Sequence, residues 1–247
     1  MKKLFTLCVA IACAGSLVAQ DSTTVKNKKK DWSKINLSNR PNDHFMLQLG
    51  YYGWATKPDS ASFKGIPRSF NMYFMFDFPF KSDPRFSIGA GLGIGTDNQY
   101  FNKTTTDITG QHSESLTFKS NGDSSYFKKY KMGFSYLEAP IELRFAKDPE
   151  NTNKSWKVAL GVKVGTMLSA ETKGKTLLNK AGAVINNFTE KQKSKHYFNT
   201  TRLQGTARIS WGFIGVYGSY QLTNFIKSGL SGPEVHPFQI GLVISGL

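Results

Sequence analysis

The sequence predicts an all-β protein, an eight-stranded antiparallel up-and-down transmembrane β-barrel. Three observations lead to this prediction. Segments of alternating apolar and polar residues recur after residue 43, short and long connections alternate between them, and aromatic residues cluster beside the short connections. A strand with lipid on one side and a polar interior on the other shows this period of two. Strict alternation of short and long connections is typical of outer-membrane barrels, whose periplasmic turns are short and whose outer loops are long.

Eight segments carry the alternation. In the fourth, for example, Leu137 and Ile141 alternate with Glu138 and Glu142. The predicted strands cover 44–55, 68–80, 85–95, 131–146, 155–170, 200–211, 213–225 and a last segment from 238. The short connections are 81–84, 147–154 and the turn around 212, and the long ones are 56–67, 102–130, 178–199 and 226–237. Both chain ends are therefore predicted on the side of the short turns.

The N-terminus has the layout of a secretory signal peptide. Lys2 and Lys3 precede an uncharged apolar stretch, and the small residue Ala19 ends it. We predict a signal peptide over 1–19, a polar periplasmic N-terminal tail over 20–43 and the barrel over 44–247. Both cysteines lie within the signal peptide, so the mature chain is predicted to contain no disulfide.

The charge balance is strongly basic, with 32 Lys and Arg against 17 Asp and Glu. Such a balance can indicate a nucleic-acid partner, but an exported chain is not expected to meet one. If the excess charge has a partner, anionic headgroups of outer-membrane lipid or acidic surface sugars are favoured over nucleic acid. The favoured interpretation, however, is that the basic loops are only solvated.

The polar phase of the strands carries charges of both signs. An eight-stranded barrel has an interior just wide enough to be filled by side chains, and charges there must be paired. Opposite signs on neighbouring strands meet this need, and so we predict a lumen charge network. Its predicted members are Asp77, Glu138, Glu142, Arg144, Lys157, Lys163, Arg202 and Arg208.

Aromatic residues flank all three short turns. Because such rings prefer the headgroup level of a membrane, their position predicts an aromatic girdle at one interface. Its predicted members are Phe78, Phe80, Phe86, Phe145, Trp156, Trp211 and Phe213. The girdle favours a membrane barrel over a soluble, lipocalin-like calyx, in which the apolar phase would face inward and the charges would face water.

Several segments resemble a known family. The segment 134–145, FSYLEAPIELRF, resembles the YLEIPL strand of the PorT-like outer-membrane barrel proteins of Bacteroidetes, and 158–168 is similar to their next strand. The segments 220–225 and 232–242 resemble their last hairpin. The resemblance covers residues 44–247 and implies an eight-stranded barrel in the outer membrane. It also implies a secretion or envelope protein partner, because the family's namesake is associated with type IX secretion.

No residue pattern predicts a catalytic site, a metal site or a cofactor. The four histidines lack the spacing of metal ligands. We therefore expect a non-enzymatic barrel that acts through the long loops 102–130 and 178–199, or through a partner. Two alternatives stay open: a lipid-modifying barrel enzyme that uses His112 and Ser113, and a soluble lipocalin-like carrier of an apolar ligand.

Overall fold

The computed structural model describes residues 44–56, 58, 60–110, 114–229 and 234–246. The predicted signal peptide (1–19) and periplasmic tail (20–43) lie outside these residues, as do His112 and Ser113. Within the described part of the chain, no helix is long and apolar enough to cross a membrane.

The described residues form eleven strands. They are β1 (Phe45–Trp54), β2 (Arg68–Pro79), β3 (Phe86–Phe101), β4 (Thr104–Thr106), β5 (Phe118–Ser120), β6 (Tyr126–Ala146), β7 (Trp156–Leu178), β8 (Val184–Lys193), β9 (Thr201–Trp211), β10 (Ile214–Gln221) and β11 (Pro237–Ser245). A short 3-10 helix, Thr152–Lys154, lies in the turn between β6 and β7.

Eight of these strands close into a ring. The order is β1, β2, β3, β6, β7, β9, β10 and β11, and β11 pairs back onto β1. Every pairing in the ring is antiparallel. Apart from the closing pair, each pairing joins two ring strands that are consecutive along the chain once β4, β5 and β8, which lie outside the ring, are left out. The prediction of a closed, eight-stranded, up-and-down barrel is confirmed.

The strands differ from the prediction at the end where the long loops leave. The third and fifth predicted strands continue to Phe101 and Leu178, and the fourth begins at Tyr126. Strands β4 and β5 form a separate two-stranded sheet, and β8 pairs with the outer part of β7. Parts of the predicted loops 102–130 and 178–199 thus form strands. The sequence does not predict these strands, because a strand outside the membrane needs no apolar face and its residues need not alternate between apolar and polar.

The two phases of the strands face opposite environments. Leu49, Leu160 and Leu242 point away from the barrel and are 55%, 60% and 58% exposed. Glu138 and Arg202, in the polar phase, are each only 1% exposed. An apolar belt with buried charge inside is the reverse of a soluble calyx, so the lipocalin-like alternative is wrong. Lipid, not water, suits such a surface.

Candidate functional site

The barrel interior holds two groups of ion pairs. The turn-side network lies near the short turns. Glu142 accepts hydrogen bonds from Arg144 (Oε2 to Nε, 3.0 Å) and from Arg208 on β9 (Oε2 to Nη2, 2.8 Å). Arg144 also contacts Asp77 on β2, with 3.4 Å between Nη1 and Oδ1. Lys157 is buried at the same end, opposite Ala146 in the register of β6 and β7.

The central network is built around Arg202 on β9. Its guanidinium donates to Asp97 on β3 (Nη1 to Oδ2, 2.8 Å) and to Glu138 on β6 (Nε to Oε1, 2.7 Å). The hydroxyl of Tyr73 on β2 donates to Glu138, and the amine of Lys163 lies 3.0 Å from that hydroxyl and 3.7 Å from Oε2 of Glu138. Strands β3 and β9 are not neighbours in the ring, so the network crosses the lumen. It connects β3 and β9, which share no backbone hydrogen bonds.

The structure therefore brings the eight charged residues of the predicted lumen network into the interior. Two members of the central network, Asp97 and Tyr73, are absent from the sequence prediction. Asp97 continues the inward phase of Gly89, Gly91, Gly93 and Gly95, and it was missed because the predicted strand ended at residue 95. Extending the alternation by one residue pair would have found it.

An apolar layer fills the interior above the central network, at the end with the long loops. Trp54 packs edge-on against Phe63, with ring centroids 5.3 Å apart, and Phe134 packs in the same way on Phe225 at 4.8 Å. The sequence pattern does not predict this layer, because several of its members lie in the predicted loops. The buried aromatic members are Tyr52, Trp54, Phe101, Phe118, Tyr130, Phe134, Tyr136, Tyr197, Phe198 and Phe225.

A groove of about 410 Å³ lies between the β4–β5 hairpin and the β7–β8 hairpin. We call it the loop groove. The rings of Phe127 and Phe188 meet edge-on in it, with centroids 5.9 Å apart. Two buried polar atoms of its lining, Oγ1 of Thr106 and Oε1 of Gln192, have no hydrogen-bond partner among the described residues. The complete lining is Thr105, Thr106, Asp107, Lys119, Asn121, Ser124, Ser125, Phe127, Tyr130, Leu177, Phe188, Glu190 and Gln192.

The aromatic residues beside the short turns pair across strands. Trp156 and Trp211 lie opposite each other with ring centroids 5.2 Å apart, and Phe86 and Phe145 do so at 5.1 Å. Phe145 is partly exposed. The other predicted girdle residues, Phe78, Phe80, Phe86, Trp156, Trp211 and Phe213, are exposed on the outer surface.

A family model described as "outer membrane protein beta-barrel domain" matches residues 35–228. The chain belongs to this family. It is accordingly an outer-membrane β-barrel protein.

Two solved structures are similar to the chain at low identity. Both are of Ail, the attachment invasion locus protein of Yersinia pestis, one of them in complex with the heparin analogue sucrose octasulfate. The identities are 13% for the complex and 12% for Ail alone, over 81% of this chain, with TM-scores of 0.34 and 0.35. The alignments cover 97% and 95% of the Ail chains, in the same order. No curated protein matches the sequence significantly.

Because the chain belongs to this family, each end of the barrel can be assigned to one side of the outer membrane. In outer-membrane barrels the short turns face the periplasm and the long loops face the cell exterior. The apolar layer and the loop groove therefore lie at the extracellular end, and the turn-side network lies near the periplasm. In one periplasmic turn, Arg85 donates hydrogen bonds to Asp83 and so holds the pKa of that carboxyl below its usual range.

Proposed function

We propose that this outer-membrane barrel is a non-enzymatic recognition protein of the cell surface. Its ligand is a polar molecule of the oligosaccharide class, bound in the loop groove. The observation that carries the proposal is the groove itself, which the fold forms between the two longest predicted loops. The barrel supplies a rigid base, and strands extended beyond the membrane supply the walls.

The lining of the loop groove suits a sugar. Phe127 and Phe188 offer apolar ring surfaces, against which the C–H face of a sugar packs. The amide of Asn121 and the carboxylate of Glu190 can bind hydroxyl groups. A buried polar atom without a partner is costly, and a bound hydroxyl would supply partners to Thr106 and Gln192.

Two apolar residues of β8, three positions apart, provide a matched test. Phe188 lines the loop groove, whereas Ile185, also exposed and apolar, does not. The refolded protein is screened on an array of neutral and acidic oligosaccharides, and the best binder is titrated calorimetrically. We expect Phe188→Ala combined with Gln192→Ala to weaken binding at least about tenfold, the loss of about 1.4 kcal/mol. Ile185→Ala should leave the affinity unchanged. Absence of binding to any oligosaccharide on the array would refute the proposal. So would equal affinity of the Phe188→Ala, Gln192→Ala variant and the Ile185→Ala variant.

The resemblance of 134–145 to PorT-like proteins supports a second element of the proposal, an envelope or secretion partner. This partner would meet the periplasmic side, where the tail predicted over 20–43 would be available after removal of the signal peptide. Affinity purification of the tagged full chain, compared with a chain lacking residues 20–43, tests it. A protein captured by both chains equally would place the contact elsewhere.

The lipid-modifying alternative has a direct test as well. His112→Ala with Ser113→Ala should leave the mass spectrum of the outer-membrane lipid unchanged if the barrel is non-enzymatic. Loss of a lipid species in this variant would overturn that part of the proposal.

A further inference from the structure

A second extracellular feature is a surface of lysines on the outside of the barrel. We call it the lysine face. In the register of β6, β7 and β8, Lys129 lies opposite Lys175, and Lys131 opposite Lys173. Lys173 in turn lies opposite Lys191. Directly opposed residues of an antiparallel pair share one face, so these amines are neighbours. The complete set is Lys129, Lys131, Lys173, Lys175, Lys191 and Lys193.

The charge of the lysine face is not balanced by the strands that carry it. Glu171 is the acidic residue of this face within the described β6, β7 and β8, and it binds Lys191 at 2.8 Å. Lys131 donates to the neutral amide oxygen of Asn98 at 2.7 Å. Like charges placed directly opposite each other destabilise a sheet. An external anion would remove this repulsion.

Further cations extend the lysine face towards β2. Lys64, Arg68 and Lys129 line a hollow of about 490 Å³ together with the ring of Tyr100. An adjoining hollow of about 120 Å³ is lined by Tyr100 and by four lysines of the face, Lys129, Lys131, Lys173 and Lys175. Both hollows thus combine amines with an aromatic surface, a lining that suits an amphiphilic anion.

The lysine face continues the lipid-facing surface of the barrel. On β6 its residues keep the outward phase of Leu137 and Ile141, which are exposed members of the apolar belt. Lys131 lies beyond Leu137 on the extracellular side, at a distance along the strand of about 20 Å at roughly 3.3 Å per residue. Arg68 on β2 is closer, because it lies only one outward position from the exposed Phe70. Arg68 therefore lies near the level where the headgroups of the outer leaflet begin, and Lys131 lies further out, towards the headgroup sugars.

We infer that the lysine face binds the phosphate groups of an outer-leaflet glycolipid, with the acyl chains packed against the apolar belt below. The charges are complementary, and the lysine face lies on the same outer surface as the apolar belt, on its extracellular side. Neither argument uses the loop groove, whose lining includes Gln192 and Glu190 on the opposite face of β8. The failure of one proposal therefore leaves the other standing.

The test compares two triple variants with equal loss of charge. The first is Lys131→Gln, Lys173→Gln and Lys175→Gln. The second, as the control, is Lys81→Gln, Lys147→Gln and Lys154→Gln, all exposed at the periplasmic turns. Each full mature chain is refolded in non-ionic detergent and titrated with bis-phosphorylated lipid A, with dephosphorylated lipid A and with inorganic phosphate.

Each cation near an anionic membrane surface contributes roughly a fivefold factor to binding. We expect wild type and control to bind phosphorylated lipid A, and the face variant to bind at least about tenfold more weakly. Dephosphorylated lipid A should bind all three chains weakly. Equal binding by the face variant and the control would overturn the inference. Inorganic phosphate that competes at the concentration of the lipid would also overturn it, because the site would then be one for free anions.

Misfolding of the face variant can be separated from loss of the site. Removal of opposed like charges should leave the barrel at least as resistant to unfolding as wild type in the absence of lipid. The gel shift between heated and unheated samples measures this. A face variant that keeps the shift but loses the lipid supports the inference.

Discussion

The buried guanidinium of Arg202 offers the sharpest test of the interior. In Arg202→Met a side chain of similar length replaces it, but Glu138 and Asp97 lose three hydrogen bonds from it. Glu138 keeps the hydroxyl of Tyr73 and the amine of Lys163. Breaking a buried pair by removing one partner costs about 3–5 kcal/mol, since the remaining charge stays desolvated. We expect a loss of free energy of unfolding in this range, towards its lower end because Lys163 remains.

The assay is urea unfolding of the barrel in lipid vesicles, followed by tryptophan fluorescence and by the gel shift of unheated samples. Arg85→Met is the matched control. It breaks the Arg85–Asp83 pair, which is also an arginine–carboxylate contact but lies partly exposed in a periplasmic turn. Exposed pairs contribute little, so the control should shift the unfolding midpoint only slightly.

A rescue variant separates charge from packing. Adding Asp97→Asn to Arg202→Met removes the charge that has lost its partner, while Glu138 keeps Lys163, and at least half of the lost stability should return. An Arg202→Met barrel no less stable than the Arg85→Met barrel would refute the reasoning. So would a double variant less stable than Arg202→Met alone, because the loss would then come from the changed side-chain packing and not from the unpaired charge.

Two further predictions concern the inner and outer surfaces. A Cβ at Gly95 would lie 2.7 Å from Oε2 of Glu138, so Gly95→Ala should lower the free energy of unfolding by about 1–3 kcal/mol. Gly205→Ala, where no heavy atom lies within 4 Å of the added carbon, should be neutral in the same urea titration, and equal effects would contradict the crowding. Lipids brominated near the headgroup should quench a chain whose single tryptophan is Trp156, in the predicted girdle. They should not quench one that keeps only Trp54, which is 7% exposed inside the barrel, and strong quenching of Trp54 would contradict the assignment of faces.

The sequence carries a clear record of the membrane-spanning part of the barrel. Outside the membrane this record is absent: β8 has exposed residues along nearly its whole length, and no apolar alternation marks it. The loop groove could not be predicted because its two walls, within 105–130 and 177–192, come from separate loops. The lysine face depends on which residues of β6, β7 and β8 lie opposite one another, which is a property of register.

The sequence by itself determined the fold class, the number of strands in the ring, the sides of the turns and loops, and eight of the charged residues of the interior. It could do so because lipid and a narrow lumen impose opposite demands on alternate residues, and these demands repeat at every strand. The tertiary structure decided which side chains contact one another. Arg202 reaches Asp97 only because the closed ring places β9 across the lumen from β3. Ring closure and register bring together residues that are far apart along the chain, and no local sequence pattern shows which residues will meet.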